Sequence, residues 1–286
     1  MAQIVGVHGI AQQLQGSAEL EDDWVLALID GVRAAGAELP KDVLRIAFYG
    51  DLYRDPGNKR AAGEKEWRPD EVSKDEAELL MAWWQAAAEV EPGRVISPAA
   101  VTRGTLDDTV QKGLLALARS SFFASVTVSA MIGDLKQVRR YLREPAVRKA
   151  AQHAVHDAVK PDTRLIIGHS LGSVVAYEAL HTHGHEPNWE RVSGFITIGS
   201  PLGIPNLIFD ALEPPPQKGV GAWPAGIQRW SNISDDGDIV ALRKVLAPLF
   251  PGPLTDYRVS NEARAHEARP YLSARITGQA VLEALR

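Results

Sequence analysis

The sequence contains no cysteine among its 286 residues. This excludes disulfides, thiolate metal sites and catalysis by a cysteine nucleophile. A chain without cysteine suits a reducing compartment, so a cytoplasmic location is expected. The first residues, MAQIVGVHGI, also lack the basic start, apolar run and small-residue cleavage site of a signal peptide.

The sequence also has no excess of basic over acidic residues, and long apolar runs are few. The net charge is −5, whereas a nucleic-acid surface normally needs a basic patch, so no nucleic-acid partner is expected. The longest apolar run, residues 114–133, contains Arg119 and five hydroxyl residues. It is therefore expected to be a buried helix or a lid helix rather than a membrane span.

Short apolar segments alternate with stripes of helical spacing along most of the chain. Strands are predicted at residues 4–7, 43–49, 164–167, 194–198, 227–233 and 257–260, and a closing helix at residues 271–285. This alternation predicts an α/β fold with a mostly parallel central sheet flanked by helices. We expect residues 1–286 to form a single domain, although the length alone would allow two of about 150 residues.

Residues 55–130 interrupt the alternation and are interpreted as a helical insertion that could serve as a lid. A polar loop is expected over residues 55–69, and helices over residues 71–89 and 105–120. The aromatic residues of the insertion are expected to form its own core. The alternative is an apolar acyl site or a lid that contacts a lipid or membrane interface transiently. These residues are Trp83, Trp84, Phe122 and Phe123.

The strongest local motif is Gly168-His169-Ser170-Leu171-Gly172, with an apolar strand before it and a helical pattern after it. A strand, a sharp turn and a helix are the setting of a nucleophile elbow, which exposes a serine hydroxyl at a strained backbone position. Small residues two positions before and after the serine allow the strand and the helix to approach. Ser170 is therefore the candidate nucleophile.

A serine nucleophile needs a base, and the base needs an orienting acid, here expected in the chain order serine, acid, histidine. The segment Ser234-Asp235-Asp236-Gly237-Asp238 follows a predicted strand, and we favour Asp238 as the acid, with Asp235 as the alternative. His266 is the only histidine after these acids, and it is the candidate base.

Two backbone N–H groups should form an oxyanion hole, because acyl transfer places negative charge on the carbonyl oxygen. Leu171, directly after the serine, supplies one donor. Ile10, in the segment Val7-His8-Gly9-Ile10 after the first strand, is the preferred second donor, and Gly9 is the alternative.

The alternating run His181-Thr182-His183-Gly184-His185 could contact a metal, but the sequence shows no further ligand cluster beside it. These histidines precede the acids and fall at the far end of the helix after Ser170, so they are not candidates for the base.

Taken together, VHGI, GHSLG, the later GSP, WSNISDDGDIV and the late His266 resemble the α/β-hydrolase superfamily. More narrowly, they resemble its bacterial lipase and esterase branch. The resemblance covers about residues 2–51 and 134–286. It implies an α/β-hydrolase fold, no cofactor, and a Ser170–His266–Asp238 triad with Ile10 and Leu171 as oxyanion donors.

The expected function is hydrolysis of a carboxylic ester, with a small-molecule or lipid ester as substrate. The same residues would also serve an acyltransferase or a thioesterase. The alternative from another class is a binding module that keeps the pocket without catalysis.

Overall fold

Apolar residues and glycine occupy most positions of the strands at residues 4–7, 165–169 and 194–198, as expected of a parallel sheet covered on both faces. The computed structural model describes residues 3–13, 15–54, 65–101, 104–123 and 126–286, apart from the side chain of residue 263. Its strands are β1 (Ile4–Val7), β2 (Leu44–Ala47), β3 (Leu165–His169), β4 (Gly194–Ile198), β5 (Arg229–Asp235) and β6 (Leu254–Val259). They form one all-parallel sheet in the order β2-β1-β3-β4-β5-β6. The predicted α/β class is confirmed at this level.

Helices cover both faces of the sheet. The α-helices of the described ranges are α1 (Ser17–Ala34), α2 (Lys74–Val90), α3 (Leu106–Leu117), α4 (Val128–Arg143), α5 (Pro145–Ala158), α6 (Leu171–His183), α7 (Ala268–Ser273) and α8 (Arg275–Ala284). On one face, α1, α7 and α8 pack with Ile4 and Leu165. On the other, Val5 and Ile166 join a core built with side chains of α2 to α6. Each fully buried aliphatic side chain stabilises this packing by about 1.5–3 kcal/mol.

Helices α2 and α3 share the main core. Capping boxes at Ser73 and Thr105 begin α2 and α3 by supplying acceptors for otherwise unpaired N–H groups. Trp84 lies between these helices, opposite Gly113, and its indole N–H donates to the carbonyl of Ile96 at 2.6 Å. The expected polar loop at residues 55–69 falls largely outside the described residues, since only residues 65–69 of it are described.

The expectation that the whole run at residues 114–133 forms one helix is wrong, whereas the helix predicted at residues 105–120 corresponds to α3. Helix α3 ends at Leu117, and the Ser120 hydroxyl then donates to the Leu117 carbonyl at 2.8 Å and accepts from the N–H of Phe123. Helix α4 begins only at Val128, where the Thr127 hydroxyl caps it. The hydroxyl side chains therefore end and start helices by competing for backbone groups. Within the described ranges, the structure has no helix with the length and apolarity that a membrane crossing requires.

The predicted closing helix is also wrong in one respect, because it is broken at Ala274 into α7 and α8. The backbone of α1 approaches this break so closely that a side-chain carbon on Gly31 would lie 2.3 Å from the Leu272 carbonyl oxygen. The Thr277 hydroxyl donates to the Tyr271 carbonyl at 2.5 Å and so satisfies an acceptor near the break. Packing against α1 thus overrides the helical pattern.

Candidate active site

Four segments that follow parallel strands meet at the carboxyl edge of the sheet. Gly9 follows β1, Ser170 follows β3, Asp238 follows β5, and His266 follows β6. In open parallel sheets this edge is where ligands usually bind. The topology therefore brings residues far apart in the sequence to one place.

Ser170 lies at a strained turn between β3 and α6. Its backbone angles are φ 53° and ψ −132°, a conformation that a residue with a side chain rarely adopts. Such a position costs about 1–3 kcal/mol and persists only where the surroundings enforce it. The first residue of α6 is Leu171, so its N–H has no carbonyl partner within the helix and lies directly beside the serine.

Two glycines allow the turn to exist. A side-chain carbon at Gly172 would lie 2.2 Å from the Val7 carbonyl oxygen and 2.3 Å from that of His8. One at Gly168 would lie 2.6 Å from the Cα of Ser173. The expectation that both positions must be small is confirmed, and the reason at Gly172 is contact with the strand-exit loop of β1.

Gly172→Ala should lower the free energy of unfolding by about 1–3 kcal/mol, because the new methyl group meets backbone atoms that no side-chain rotation can move. Urea unfolding monitored by circular dichroism measures this change. The matched control is Gly93→Ala, where the added carbon has nothing within 4 Å. Equal stability of the two variants would contradict the proposed collision.

The three predicted polar residues form one chain of hydrogen bonds. The Ser170 hydroxyl donates to His266 Nε2, with 2.8 Å between the oxygen and the nitrogen. His266 Nδ1 donates to Asp238 Oδ2, also at 2.8 Å. Because an ionised carboxylate only accepts, the Asp238 contact places the imidazole proton on Nδ1 and leaves Nε2 as the acceptor.

Asp238 is fully buried, yet its carboxylate is well supplied with donors. Oδ1 accepts from the N–H groups of Val240 and Ala241, and Oδ2 accepts from the Tyr271 hydroxyl at 2.9 Å in addition to His266. Burial by itself would raise the pKa of this carboxyl, but the electrostatic attraction and the hydrogen bond of His266, together with further donors, hold the pKa below its ordinary value. The group therefore stays ionised beside the imidazole.

Asp235, the alternative acid, has a different set of partners. Its Oδ1 accepts from the Gly237 N–H at 2.7 Å, and its Oδ2 accepts from the Asn261 N–H. These bonds fix the turn after β5 to the segment that leads to His266. Tyr271, which the sequence analysis did not single out, bridges the two acids, since its hydroxyl accepts from the Asp235 N–H and donates to Asp238.

His169 holds the backbone of His266 in place. Its Nε2 donates to the carbonyl of His266 at 2.7 Å, so it anchors the backbone of that residue. Burial, together with the nearby His266, lowers the pKa of His169 to about 3 and keeps its ring neutral. Sequence reasoning gave His169 no role, although its position next to Ser170 in the motif was a signal.

The loop after β1 is held against Ser170. A side-chain carbon at Gly9 would lie 2.7 Å from the Ser170 Cβ, which shows how closely the backbone passes. His8 Nδ1 donates to the Gly9 carbonyl at 2.7 Å, and His8 Nε2 accepts from the Tyr49 N–H at 3.0 Å. Burial lowers the pKa of His8 to about 4, so this pattern of one donor and one acceptor persists at neutral pH.

Ile10 lies in the same loop, and a glutamine fixes the residue after it. The N–H of Ala11, which has φ 62°, donates to Gln137 Oε1 on α4. Gln137 is buried, and it is a polar residue among the apolar side chains that α4 turns inward. The sequence alone does not reveal the role of Gln137, because no local pattern connects it to Ala11, which lies 126 positions earlier.

A small apolar pocket lies beside Ser170, and its free space of about 10 Å³ is enough for about one water molecule. Its lining combines loop and helix residues: Ile10, Leu79, Trp83, Val138, Ser170, Leu171, Pro201, Ile204, Ile208 and Val240. Leu79 and Trp83 belong to α2, and Ser170 itself has an exposed fraction of only 2%. A covered apolar pocket of this kind excludes water from a reacting group.

The aromatic residues of the insertion divide between core and site. Trp84 and Phe123 are buried in the core as expected. Trp83 is buried too but lines the pocket, and the Phe122 ring lies 5.8 Å from the His266 ring. The favoured interpretation, a core role for all four, is therefore incomplete.

Comparison of the chain with protein-family models, with curated proteins and with solved structures finds no match. The resemblance to α/β-hydrolases accordingly stays a prediction. What supports a function is the geometry of the Ser170–His266–Asp238 chain and its pocket.

Proposed function

We propose that the protein is a serine hydrolase that cleaves carboxylic esters and has an α/β-hydrolase fold. The observation that carries the proposal is the hydrogen-bonded chain from Ser170 through His266 to Asp238. The serine lies at a positive-φ turn in front of a helix N-terminus. A nucleophile, a base and an orienting acid in these relative positions are the requirements for acyl transfer.

In the first step, Ser170 Oγ attacks the ester carbonyl carbon while its proton moves to His266 Nε2. The carbonyl π electrons move to oxygen, which becomes negatively charged. Asp238 keeps the Nδ1–H in place and stabilises the imidazolium without taking its proton. The buried, ionised state of Asp238 suits this role.

The negative oxygen would lie at the N-terminus of α6. The N–H of Leu171, the first residue of the helix, is the proposed first donor, and the N–H of Ile10 is the proposed second donor. Each such donor contributes about 3 kcal/mol to lowering the barrier. The partial positive charge of a helix N-terminus adds to this stabilisation.

Collapse of the intermediate breaks the bond to the leaving oxygen, which takes the proton from His266 Nε2 and departs as an alcohol. His266 then removes a proton from water, whose oxygen attacks the acyl group on Ser170. The second collapse releases the carboxylic acid and returns a proton to Ser170 Oγ. A thioester would follow the same steps, and an alcohol acceptor in place of water would give transfer.

The pocket indicates a small apolar acyl group. Its free space of about 10 Å³ leaves no room for a long acyl chain unless the lining side chains move. Apart from Ser170, all of its lining side chains are apolar. We propose a short-chain ester as the preferred substrate and expect activity to fall as the acyl chain lengthens.

A fluorophosphonate probe tests the proposal, because its phosphorus bonds to the activated serine oxygen and releases fluoride. The folded protein should take up one label per chain, and Ser170→Ala should take up none. Ser173→Ala is the matched control on the same helix, since the one hydrogen bond of its hydroxyl among the described residues goes to the Gly168 carbonyl. Heat-denatured protein should also stay unlabelled.

A panel of p-nitrophenyl esters from acetate to palmitate completes the test and reports the acyl preference. Failure of the folded protein both to react with the probe and to hydrolyse any of these esters would overturn the hydrolase proposal. That result would favour a binding module that uses the pocket without catalysis.

A further inference from the structure

Three metal-ligating side chains converge at the end of α6 opposite to Ser170. His183 is the last residue of α6, Glu186 follows in the next turn, and His156 comes from α5. His156 Nε2 lies 2.8 Å from Glu186 Oε2, and His183 Nδ1 lies 2.6 Å from Glu186 Oε1. One ligand atom from each residue lies within 4.8 Å of the other two.

The cluster is held in place by its surroundings. The Glu186 N–H donates to the His183 carbonyl at 2.8 Å, which fixes the turn between them. The His183 ring stacks on the buried Trp189, with 5.9 Å between the ring centres. The centres of the His156 and His183 rings lie 4.6 Å apart. Two imidazoles that share one carboxylate are thus already oriented toward a common point.

Imidazole nitrogens and a carboxylate are the ligands that Zn²⁺ prefers, and a set of two histidines and one glutamate leaves a fourth position for water. In a tetrahedral site the ligand atoms lie roughly 3.4 Å apart. Small side-chain rotations would bring the three atoms to that spacing. The cation would take the place of the protons that the imidazoles share with Glu186.

We propose that His156, His183 and Glu186 form a binding site for one divalent transition-metal ion, with Zn²⁺ as the best fit. Their side chains are 29%, 17% and 35% exposed, so an ion can enter while the site stays partly enclosed. A second group, His153, His156 and Asp157, shares one member. Its other two side chains are 63% and 67% exposed, which leaves them less constrained.

The proposed ion would lie too far from Ser170 to take part in ester cleavage. Helix α6 separates it from the serine by about 18 Å, given a rise of about 1.5 Å per residue from Leu171 to His183. A bound ion would tie the end of α5 to the end of α6 and so stabilise the helix that carries the nucleophile turn. The sequence showed the HTHGH run, but His156 joins it only through the packing of α5 on α6.

Titration calorimetry with ZnCl₂ on tag-free, chelator-washed protein tests the site. We expect one ion per chain and a higher melting temperature in the presence of Zn²⁺. His156→Gln, His183→Gln and Glu186→Gln should each weaken binding at least about tenfold and remove the thermal shift. His185→Gln is the matched control, because this exposed residue lies one position from Glu186 outside the cluster.

The variants His153→Gln and Asp157→Asn show which of the two groups binds the ion. Both should leave binding unchanged, and circular dichroism should show all variants folded. Retention of Zn²⁺ by His183→Gln and Glu186→Gln, combined with its loss in His153→Gln, would overturn the assignment. So would the absence of stoichiometric Zn²⁺ binding in the unaltered chain, which would leave Glu186 as a hydrogen-bonding link alone. Mg²⁺, which prefers oxygen ligands, should not compete with Zn²⁺.

Discussion

Ser170→Ala should lower kcat for a short-chain p-nitrophenyl ester by roughly 10⁴- to 10⁶-fold, a loss of the size seen when other serine hydrolases lose the nucleophile. Alanine removes the attacking oxygen and leaves the pocket and the oxyanion donors in place. The backbone at this position has φ 53°, and alanine meets the same strain there as serine does. The melting temperature should therefore change little, and the loss should appear in kcat rather than in KM.

The double variant Ser170→Ala/His266→Ala sharpens this expectation. Because the two residues act as one unit through the 2.8 Å hydrogen bond, removing the second should cost little once the first is gone. Stopped-flow assays measure the fast rates and long assays measure the residual rates. Titration with an active-site label quantifies any contaminating active enzyme. A double variant much slower than Ser170→Ala would mean that the residues contribute independently, which contradicts the proposed mechanism.

The strands could be predicted because their local pattern and their tertiary environment agree. β1 and β4 have the predicted bounds, Ile4–Val7 and Gly194–Ile198, since both lie inside the sheet and consist of apolar and small residues. β6 was predicted at residues 257–260 but spans Leu254–Val259. It is an edge strand in which no residue is buried and half are polar or charged, so its apolar signal is weak.

Both helix errors arise from contacts that hydrophobic periodicity does not reveal. The run at residues 114–133 is apolar enough for one helix, and the run at residues 271–285 has helical spacing. In the first, hydroxyl side chains bind nearby backbone groups, as Ser120 does. In the second, close packing of α1 at Gly31 forces the break. Neither contact changes the spacing of the apolar residues, which is the pattern used for the prediction.

The chemistry-bearing residues of the candidate site could be predicted, but their supports could not. Motif spacing and chain order suffice to select Ser170 and His266. Tyr271 and Gln137 act through contacts with residues 33 and 126 positions away, respectively. Such contacts depend on how the loops and α4 pack, which a single sequence does not encode in a local pattern.

The choice between the acids leads to the second large expected effect, in Asp238→Asn. This change should lower kcat by about 10⁴-fold, as the equivalent change does in serine proteases. An amide at this buried position can donate to His266 Nδ1 and so favours the tautomer whose Nε2 carries a proton. That Nε2 can no longer accept the proton of Ser170 Oγ. The protein should stay folded, because the amide oxygen still accepts from the N–H groups of Val240 and Ala241.

Asp235→Asn and Asp236→Asn make the comparison specific, since all three variants remove one carboxylate from the same loop. Asp236 is exposed and pairs only with Arg258 at the surface among the described contacts, so its variant should keep full activity. Asp235 accepts two backbone N–H groups, of which an amide can satisfy one well, so its variant should lose about 1–3 kcal/mol of stability. Its kcat at low temperature should fall less than about tenfold, because His266 keeps its bond to Asp238. If Asp235→Asn abolished kcat and Asp238→Asn did not, Asp235 would be the orienting acid, and the hydrogen bond from His266 to Asp238 would have no part in catalysis.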